Sequence, residues 1–296
     1  MLKSLIKRGI AALGILAALA VPASARTTNG PALWQVSDRD TTVYLFGTIH
    51  LLPRDSNWRT AKFDKAVQNS QSLVVETMVD TANPQQLAAL MQQMGFSPNL
   101  PPIANRVEPS KRADLEAAIA KTRLPRPVFD RMETWAAAFT LIGVQFQTIG
   151  VEGDQGVEAV LRKSFHSAGK PVGELESNRE QLAFFDTLPE KAQRELLEGA
   201  IENPQAMRGK FDEMLGAWLR GDVEGIGRTF NRDLQSSPEL RAALLTRRNW
   251  NWSQWIQRRM AQPGTVMVAV GAGHLAGGES VQRYLESRGY KVKRLQ

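Results

Sequence analysis

Two apolar runs near opposite ends of the chain, TVYLFGT (Thr42 to Thr48) and TVMVAV (Thr265 to Val270), restrict its architecture more than any other feature. Both are uncharged, rich in β-branched and aromatic residues, and bounded by turn-forming residues. Runs of this kind are too short for a buried helix and read as strands covered on both faces. LWQVS (Leu33 to Ser37) precedes the first run, and Asp38-Arg39-Asp40 between them reads as a hairpin turn. SLVVET (Ser72 to Thr77), KPVGELES (Lys170 to Ser177) and the segment Tyr290 to Leu295 supply further short strands. Helical periodicity covers Trp58 to Asn69, Gly156 to Gly169 and Glu279 to Arg288, and two long blocks at about 83–149 and 178–262. Prolines punctuate the blocks at Pro98 to Pro102, Pro125, Pro127, Pro189, Pro204 and Pro238. The predicted fold class is α/β: a discontinuous central mixed sheet formed by N- and C-terminal strands, with the large helical insertions forming a cap.

The first residues stand apart from that fold. A basic head (Lys3, Lys7, Arg8), an uncharged run from Gly9 to Val21 and the small-residue site Ala23-Ser24-Ala25 describe a secretory leader, cleaved after Ala25. Residues 1–25 are thus assigned to the leader and 26–296 to a single domain. The formal charge of +7 loses three with the leader and becomes +4, with acids and bases interspersed. Such a surface is simply solvated and gives no argument for nucleic acid. No later stretch is apolar for long enough to span a bilayer, so no integral membrane segment is expected after cleavage. Cysteine is absent, which excludes thiol catalysis, thiolate zinc sites and disulfides. An exported chain without cysteine points to the periplasm.

Both long strands end in Gly-x-x-His, as Gly47-Thr48-Ile49-His50 and Gly271-Ala272-Gly273-His274. In open α/β sheets, ligands bind outside the carboxyl ends of the strands. His50, Glu76, Glu174, Glu176 and His274 all fall at or just beyond such ends. A glycine before the histidine allows a sharp turn and leaves room beside the ring. Two imidazoles with one or two carboxylates can hold a divalent metal with open positions, or act as a general base with an orienting acid. A strand-end histidine can equally be a hydrogen-bonded structural residue, although two of the chain's three histidines share this context. The third, His166, lies in the polar stretch RKSFHSAGK and reads as surface. GAGHLAG also fits a loose glycine-rich phosphate turn, but no βαβ unit follows it and no acid stands about 20 residues on.

These motifs, in this order, make the chain similar to the TraB/PrgY/GumN family, whose animal relatives are the Tiki metalloproteases. The resemblance runs through LWQV, YLFGTIHLLP, LVVE, GVEAVLRKSFHSAGKPVGELES, LLTRRNWNWSQWI and VAVGAGHLAGGESVQRYLESRGYKVKRL. It implies a metal-dependent hydrolase with His50 and His274 as the motif histidines, Glu76 as the acid after a core strand, and Arg248-Asn249 as the pair opening a late helix. Glu158 stands where many bacterial members have aspartate, and the longer side chain has to reposition to serve as a ligand. The wider superfamily also resembles erythromycin esterases and a haem-binding lipoprotein group.

The expectation is therefore a periplasmic metal-dependent hydrolase acting on a peptide or amide bond. His50, Glu76 and His274 form its metal and water-activation site, with Glu158, Glu174 and Glu176 as further candidate ligands. A carboxylate takes the proton from water, and Arg248 and Asn249 bind substrate, anchoring a carboxylate or an oxyanion. RRNWNWSQWIQRR also fits a plain amphipathic helix with solvated arginines. With few imidazoles and several carboxylates, Mn, Co and Zn are all allowed. Two alternatives share the cleft: a metal-free, esterase-like hydrolase with His50 as general base beside Glu76, and a non-catalytic periplasmic ligand-binding protein.

Overall fold

Alternation along the two apolar runs divides their side chains between two helical layers. A computed structural model describes residues 30–54, 56–78, 84–149, 151, 155–235 and 237–296; the leader and its cleavage point lie outside them. The chain opens with β1 (Leu33–Ser37) and β2 (Thr41–Thr48), an antiparallel hairpin. Helix α1 (Ala61–Asn69) starts where the Thr60 hydroxyl accepts from the Phe63 N–H, three residues later than the periodicity predicts. β3 (Ser72–Val75) follows.

The first helical block holds α2 (Pro84–Met94), α3 (Arg112–Lys121), α4 (Arg126–Arg131) and α5 (Thr134–Thr148). Then come α6 (Val157–Ser167), β4 (Val172–Glu174), α7 (Asn178–Asp186), α8 (Glu190–Ala200), α9 (Pro204–Leu219) and α10 (Val223–Gln235). A helix with three parts runs next: α11 (Pro238–Arg241), a π-helical turn (Ala242–Thr246) and α12 (Arg247–Met260). The chain closes with β5 (Gly264–Gly271), α13 (Val281–Glu286) and β6 (Val292–Arg294).

The sheet has the order β4-β3-β5-β2-β1-β6. β5 lies parallel between β2 and β3, and β4 lies parallel outside β3; β1 pairs antiparallel with both β2 and β6. The sheet is mixed and is assembled from both ends of the chain, as the sequence predicts. β5, which brings those ends together, is central and buried on both faces. On one face Tyr44, Phe46, Leu73, Met267 and Ala269 pack with Trp58, Phe63 and Trp218. On the other, Val43, Leu45, Val74, Val266 and Val268 pack with Trp252 and Ile256. A separate core of Leu115, Ile119, Phe129, Trp135, Leu141 and Leu197 holds the helical cap together. Leu87, Leu90, Met91 and Met94 of α2 pack against it. Among the described residues no helix is long and apolar enough to cross a membrane.

Register aligns the functional edge. Thr48 is level with Gly271, Ala269 with Val75, and Val75 with Glu174. The carboxyl ends of four parallel strands thus present the His50 turn, Glu76, the Glu174–Glu176 segment and the His274 turn along one side of the sheet, where α/β sheets bind ligands.

Candidate active site

The two Gly-x-x-His turns pack directly on each other. A β-carbon added at Gly47 would lie 3.0 Å from the Ala272 α-carbon. Neither motif glycine has a positive φ, and Gly271 sits at −48°. The sharp turn expected at these positions is therefore not what requires glycine. Space is: at Gly47 for the neighbouring turn, and at Gly271 for the site itself. A β-carbon on Gly271 would meet Glu76 Oε1 at 3.0 Å, His274 Cδ2 at 3.5 Å and His50 Nε2 at 3.8 Å. One carboxylate oxygen and two imidazole rings face a single small volume above this glycine.

His50 follows the end of β2, and its side chain is 65% exposed. The neighbouring Ile49 carbonyl accepts from the Val157 N–H and caps the start of α6. This fixes the first turn of α6 beside His50 and carries Glu158 into place. Glu158 Oε1 lies 2.6 Å from His50 Nδ1 and also accepts from the Thr48 hydroxyl. The carboxylate charge pushes the His50 pKa up to about 9. Burial works against ionisation of Glu158, but His50 and Thr48 hold its pKa below the ordinary value. With Nδ1 engaged, Nε2 is the atom that His50 presents to the Gly271 volume.

His274 lies in a short 3₁₀ turn, Ala272–Leu275, and is 4% exposed. Its ring packs on Trp252 with centroids 4.4 Å apart. Asn249 Oδ1 is 2.6 Å from Nδ1, and Arg248 Nη1 is 3.2 Å from Nε2. Arginine only donates, so Nε2 is the acceptor and the proton sits on Nδ1. Burial, together with the Arg248 charge, drives the His274 pKa down to about 3, against the pull of Glu76. The ring is neutral.

Glu76 follows β3 and is 4% exposed. Its Oε1 accepts from the Gly271 N–H at 2.5 Å and lies 3.6 Å from His274 Nε2. Its Oε2 accepts from Arg248 Nη2 at 2.7 Å and from Gln181 at 3.4 Å. Burial would raise its pKa; the surrounding imidazoles, Arg248 and the Gly271 N–H together lower it to about 2. A group this acidic is a fixed anion and a poor proton acceptor.

Arg248 is the hub. Nε donates to both oxygens of Glu176 at 3.2 and 3.0 Å, Nη1 to the Leu244 carbonyl and His274, and Nη2 to Glu76; Nη2 also lies 2.9 Å from Glu176 Oε2 as an ion pair. Trp252 lies under the guanidinium at 4.7 Å and donates its indole N–H to Glu176 at 2.9 Å. All three guanidinium nitrogens are engaged inside the protein. Buried at 6% exposure and paired with Glu76 and Glu176, Arg248 supplies internal positive charge. Asn249, 1% exposed, is equally engaged, with Nδ2 donating to the Glu279 carbonyl at 2.8 Å. The structure therefore makes this pair a buried scaffold where the sequence suggests a substrate contact.

The remaining candidate ligands lie outside the Gly271 volume. Glu176 sits behind Arg248, where burial raises its pKa against the opposing pull of the guanidinium. Glu174 is exposed and accepts from the Met78 N–H at 2.7 Å, and Glu158 faces the Nδ1 side of His50. His166 is exposed, as expected. Glu279, which sequence reasoning passes over as a helix residue, receives Arg241, Thr246 and Asn249.

The fit to a divalent cation is divided. His50 Nε2 and Glu76 Oε1 are suitable donors facing one volume, and that part of the site fits. His274 joins them only where Arg248 Nη1 gives up its hydrogen bond. Among the described residues no three His, Asp or Glu side chains are already gathered as a metal cage. A cavity of about 490 Å³ elsewhere, lined by Lys121, Leu141, Gln145 and Glu202, belongs to the cap and shares no residue with this edge.

Comparison with known proteins agrees with the motif reading. The model of the TraB/PrgY/gumN family matches residues 32–294. Uncharacterized protein YbaP of Escherichia coli (strain K12) is 25% identical over 234 residues, covering 79% of this chain and 84% of YbaP. Uncharacterized protein YbaP of Shigella flexneri matches over the same span with the same identity. No solved structure gives a significant match.

Proposed function

The chain belongs to the TraB/PrgY/GumN family, and from that premise we propose that it is a periplasmic metal-dependent hydrolase of peptide or related amide bonds. The observation that carries the reading is the convergence of Glu76 Oε1, His50 Nε2 and the His274 ring above Gly271. His50 and Glu76 would hold the cation, with His274 as third donor in exchange for its Arg248 contact. When bound, a cation supplies polarisation of the scissile carbonyl and lowers the pKa of a water toward neutrality.

The protein's own residues supply orientation and charge. Glu158 keeps Nδ1 of His50 occupied, so Nε2 is the atom offered to the cleft. Glu76 stays anionic throughout the neutral range because Arg248 and the Gly271 N–H hold its two oxygens. Asn249 fixes the His274 ring, and Glu176 with Trp252 fixes Arg248. The exposed face of His50 lets substrate approach, whereas His274 and Glu76 are shielded from water.

One observation favours a second reading. The 2.6 Å Glu158–His50 pair is the arrangement of a general acid–base dyad. With a pKa of about 9, His50 is protonated at neutral pH and would donate from Nε2 to a leaving group. This is hydrolysis without a metal, and its orienting acid is Glu158, not the Glu76 of the sequence expectation.

Elemental analysis of residues 26–296 after incubation with Mn, Co and Zn, combined with peptide and ester hydrolysis, separates the readings. The metal reading requires stoichiometric cation in the wild type, its loss in the His50→Ala, His274→Ala double variant, and activity abolished by chelation. Chelation-resistant hydrolysis that Glu158→Gln removes selects the dyad. Wild-type hydrolysis surviving both histidine substitutions overturns both.

A further inference from the structure

Glu279 ties together the parts of the site that come from different regions of the chain. It lies just past the His274 turn, and its carboxylate reaches across to the π-helical turn before α12. Oε2 accepts from Arg241 Nε at 2.8 Å and lies 2.6 Å from Nη2, and Oε1 accepts from the Thr246 hydroxyl at 3.3 Å. The side chain therefore grips both ends of the π segment Ala242–Thr246, the kind of helical irregularity that collects at functional sites. The Glu279 backbone carbonyl, held in place by this clasp, accepts from Asn249 Nδ2 at 2.8 Å.

That last bond has a chemical consequence. A carbonyl only accepts, so the Asn249 NH₂ must face Glu279, and Oδ1 must face His274. Oδ1 also only accepts, so His274 Nδ1 must carry the proton. Nε2 then keeps its lone pair on the side of Arg248 and Glu76. Reversing the amide would place NH₂ against Nδ1 and put a proton on Nε2, directed at the Arg248 donor. The tautomer that the Arg248 donor favours at Nε2 is thus also held from the other side of the ring, two hydrogen bonds away, by where residue 279 holds its carbonyl.

We propose that Glu279 is a positioning residue that, through Asn249, helps hold His274 in the Nδ1–H tautomer and so keeps the Nε2 lone pair on the Glu76 side, where a divalent cation could take it in exchange for the Arg248 contact. The cation part of this inference rests on the hydrolase reading above; the tautomer part does not. Stability alone is a poor account of the clasp. Arg241 and Glu279 are 38% and 40% exposed, and exposed ion pairs contribute only about 0–1 kcal/mol. Outer partners of ligating histidines, by contrast, fix tautomer and ring orientation, and their loss lowers metal affinity roughly 10–100-fold.

The test uses the mature chain labelled with ¹⁵N-histidine, whose three rings give few enough signals to be read individually. Wild type, Glu279→Ala, Arg241→Gln and Glu279→Gln are compared by ¹⁵N NMR and by Co titration. Wild-type His274 should show a protonated Nδ1 and an unprotonated Nε2. Glu279→Ala and Arg241→Gln should draw the two ring signals together and weaken Co binding by about 10–100-fold, leaving the His50 ring unchanged. Glu279→Gln, which keeps a side-chain acceptor for Arg241 and Thr246, should restore most of the wild-type pattern. Unchanged His274 signals in folded Glu279→Ala or Arg241→Gln protein would overturn the proposal. If Glu279→Ala fails to fold, Arg241→Gln alone decides, since it leaves Glu279 and its Thr246 contact in place. Absence of Co binding in wild type would count against the metal reading of the site, while the tautomer signals would still judge the role of Glu279.

Discussion

The same four-residue motif occurs twice, side by side, and produces two different histidines. His50 is 65% exposed at its side chain and faces a carboxylate; His274 is 5% exposed and faces an amide and a guanidinium. One ring has its pKa pushed up to about 9 and the other down to about 3. The strands place both rings at the sheet edge, but inserted helices decide their chemistry. α6 delivers Glu158 to the first, and α12 delivers Arg248 and Asn249 to the second. An exposed, charged ring and a buried, neutral ring thus arise from one sequence pattern because the inserts differ.

The most damaging way to break this comparison is to remove the cation that keeps the buried side neutral. Arg248→Ala leaves Glu76 and Glu176 buried without their shared partner, and breaking a buried pair costs about 3–5 kcal/mol. Urea unfolding should show a loss of that size, and a loss well under 1 kcal/mol would mean that Arg248 is not the hub described. The next effect is on the pH dependence of stability, where the two rings act in opposite directions. His274 has its folded pKa depressed from 6.5 to about 3, so its contribution is present above pH 6.5 and lost as pH falls below it. The slope is about 1.4 kcal/mol per pH unit while the unfolded state alone takes up the proton. Glu76, lowered from 4.5 to about 2, adds to the acid-side loss below pH 4.5. His50 has its folded pKa raised from 6.5 to about 9, so its contribution is complete below pH 6.5 and lost as pH rises through 9. This alkaline loss should be the smaller one in total, because solvent screens the exposed His50 side of the pair. His274→Gln should flatten the acid side between pH 6.5 and 4.5, and His50→Ala should flatten the alkaline side. A single slope removed by either substitution would contradict the assignment. The smallest effect comes from the contact between the turns: Gly47→Ala should cost about 1–3 kcal/mol by overpacking Ala272, without moving either histidine pKa.

Much of the frame was legible in the residues. The apolar runs and turn signals located β1, β2, β3, β4, β5 and β6, and the placement of those strands at both ends of the chain required a sheet closed by its termini. His50, Glu76 and His274 were visible because they follow strand ends, where local pattern and site location coincide. What lies between the strands was far less readable. Glu158 meets Thr48 across 110 residues of sequence, a contact created by the docking of α6 on the Ile49 carbonyl. Glu174 and Glu176 both follow β4, yet only Glu176 turns inward to Arg248, and so short a strand carries no alternation strong enough to tell them apart. Arg248 looks like one more arginine of an amphipathic, basic helix until its neighbours are in place. The closing helix, expected from Glu279, begins only at Val281, with Ser280 as its extended N-cap.

The most direct test of the central claim is a ¹⁵N-histidine pH titration of wild-type residues 26–296 and of the same chain carrying Glu158→Gln. In wild type the account expects one ring to titrate near pH 9, and the ring assigned to His274 to remain neutral down to about pH 3 for as long as the fold persists. In Glu158→Gln the first ring should fall back toward the ordinary value of 6.5 while His274 does not move. Two strand-end rings that titrate together near 6.5 in wild type, or a His274 signal that follows the Glu158 substitution, would contradict the division of roles between the two motifs.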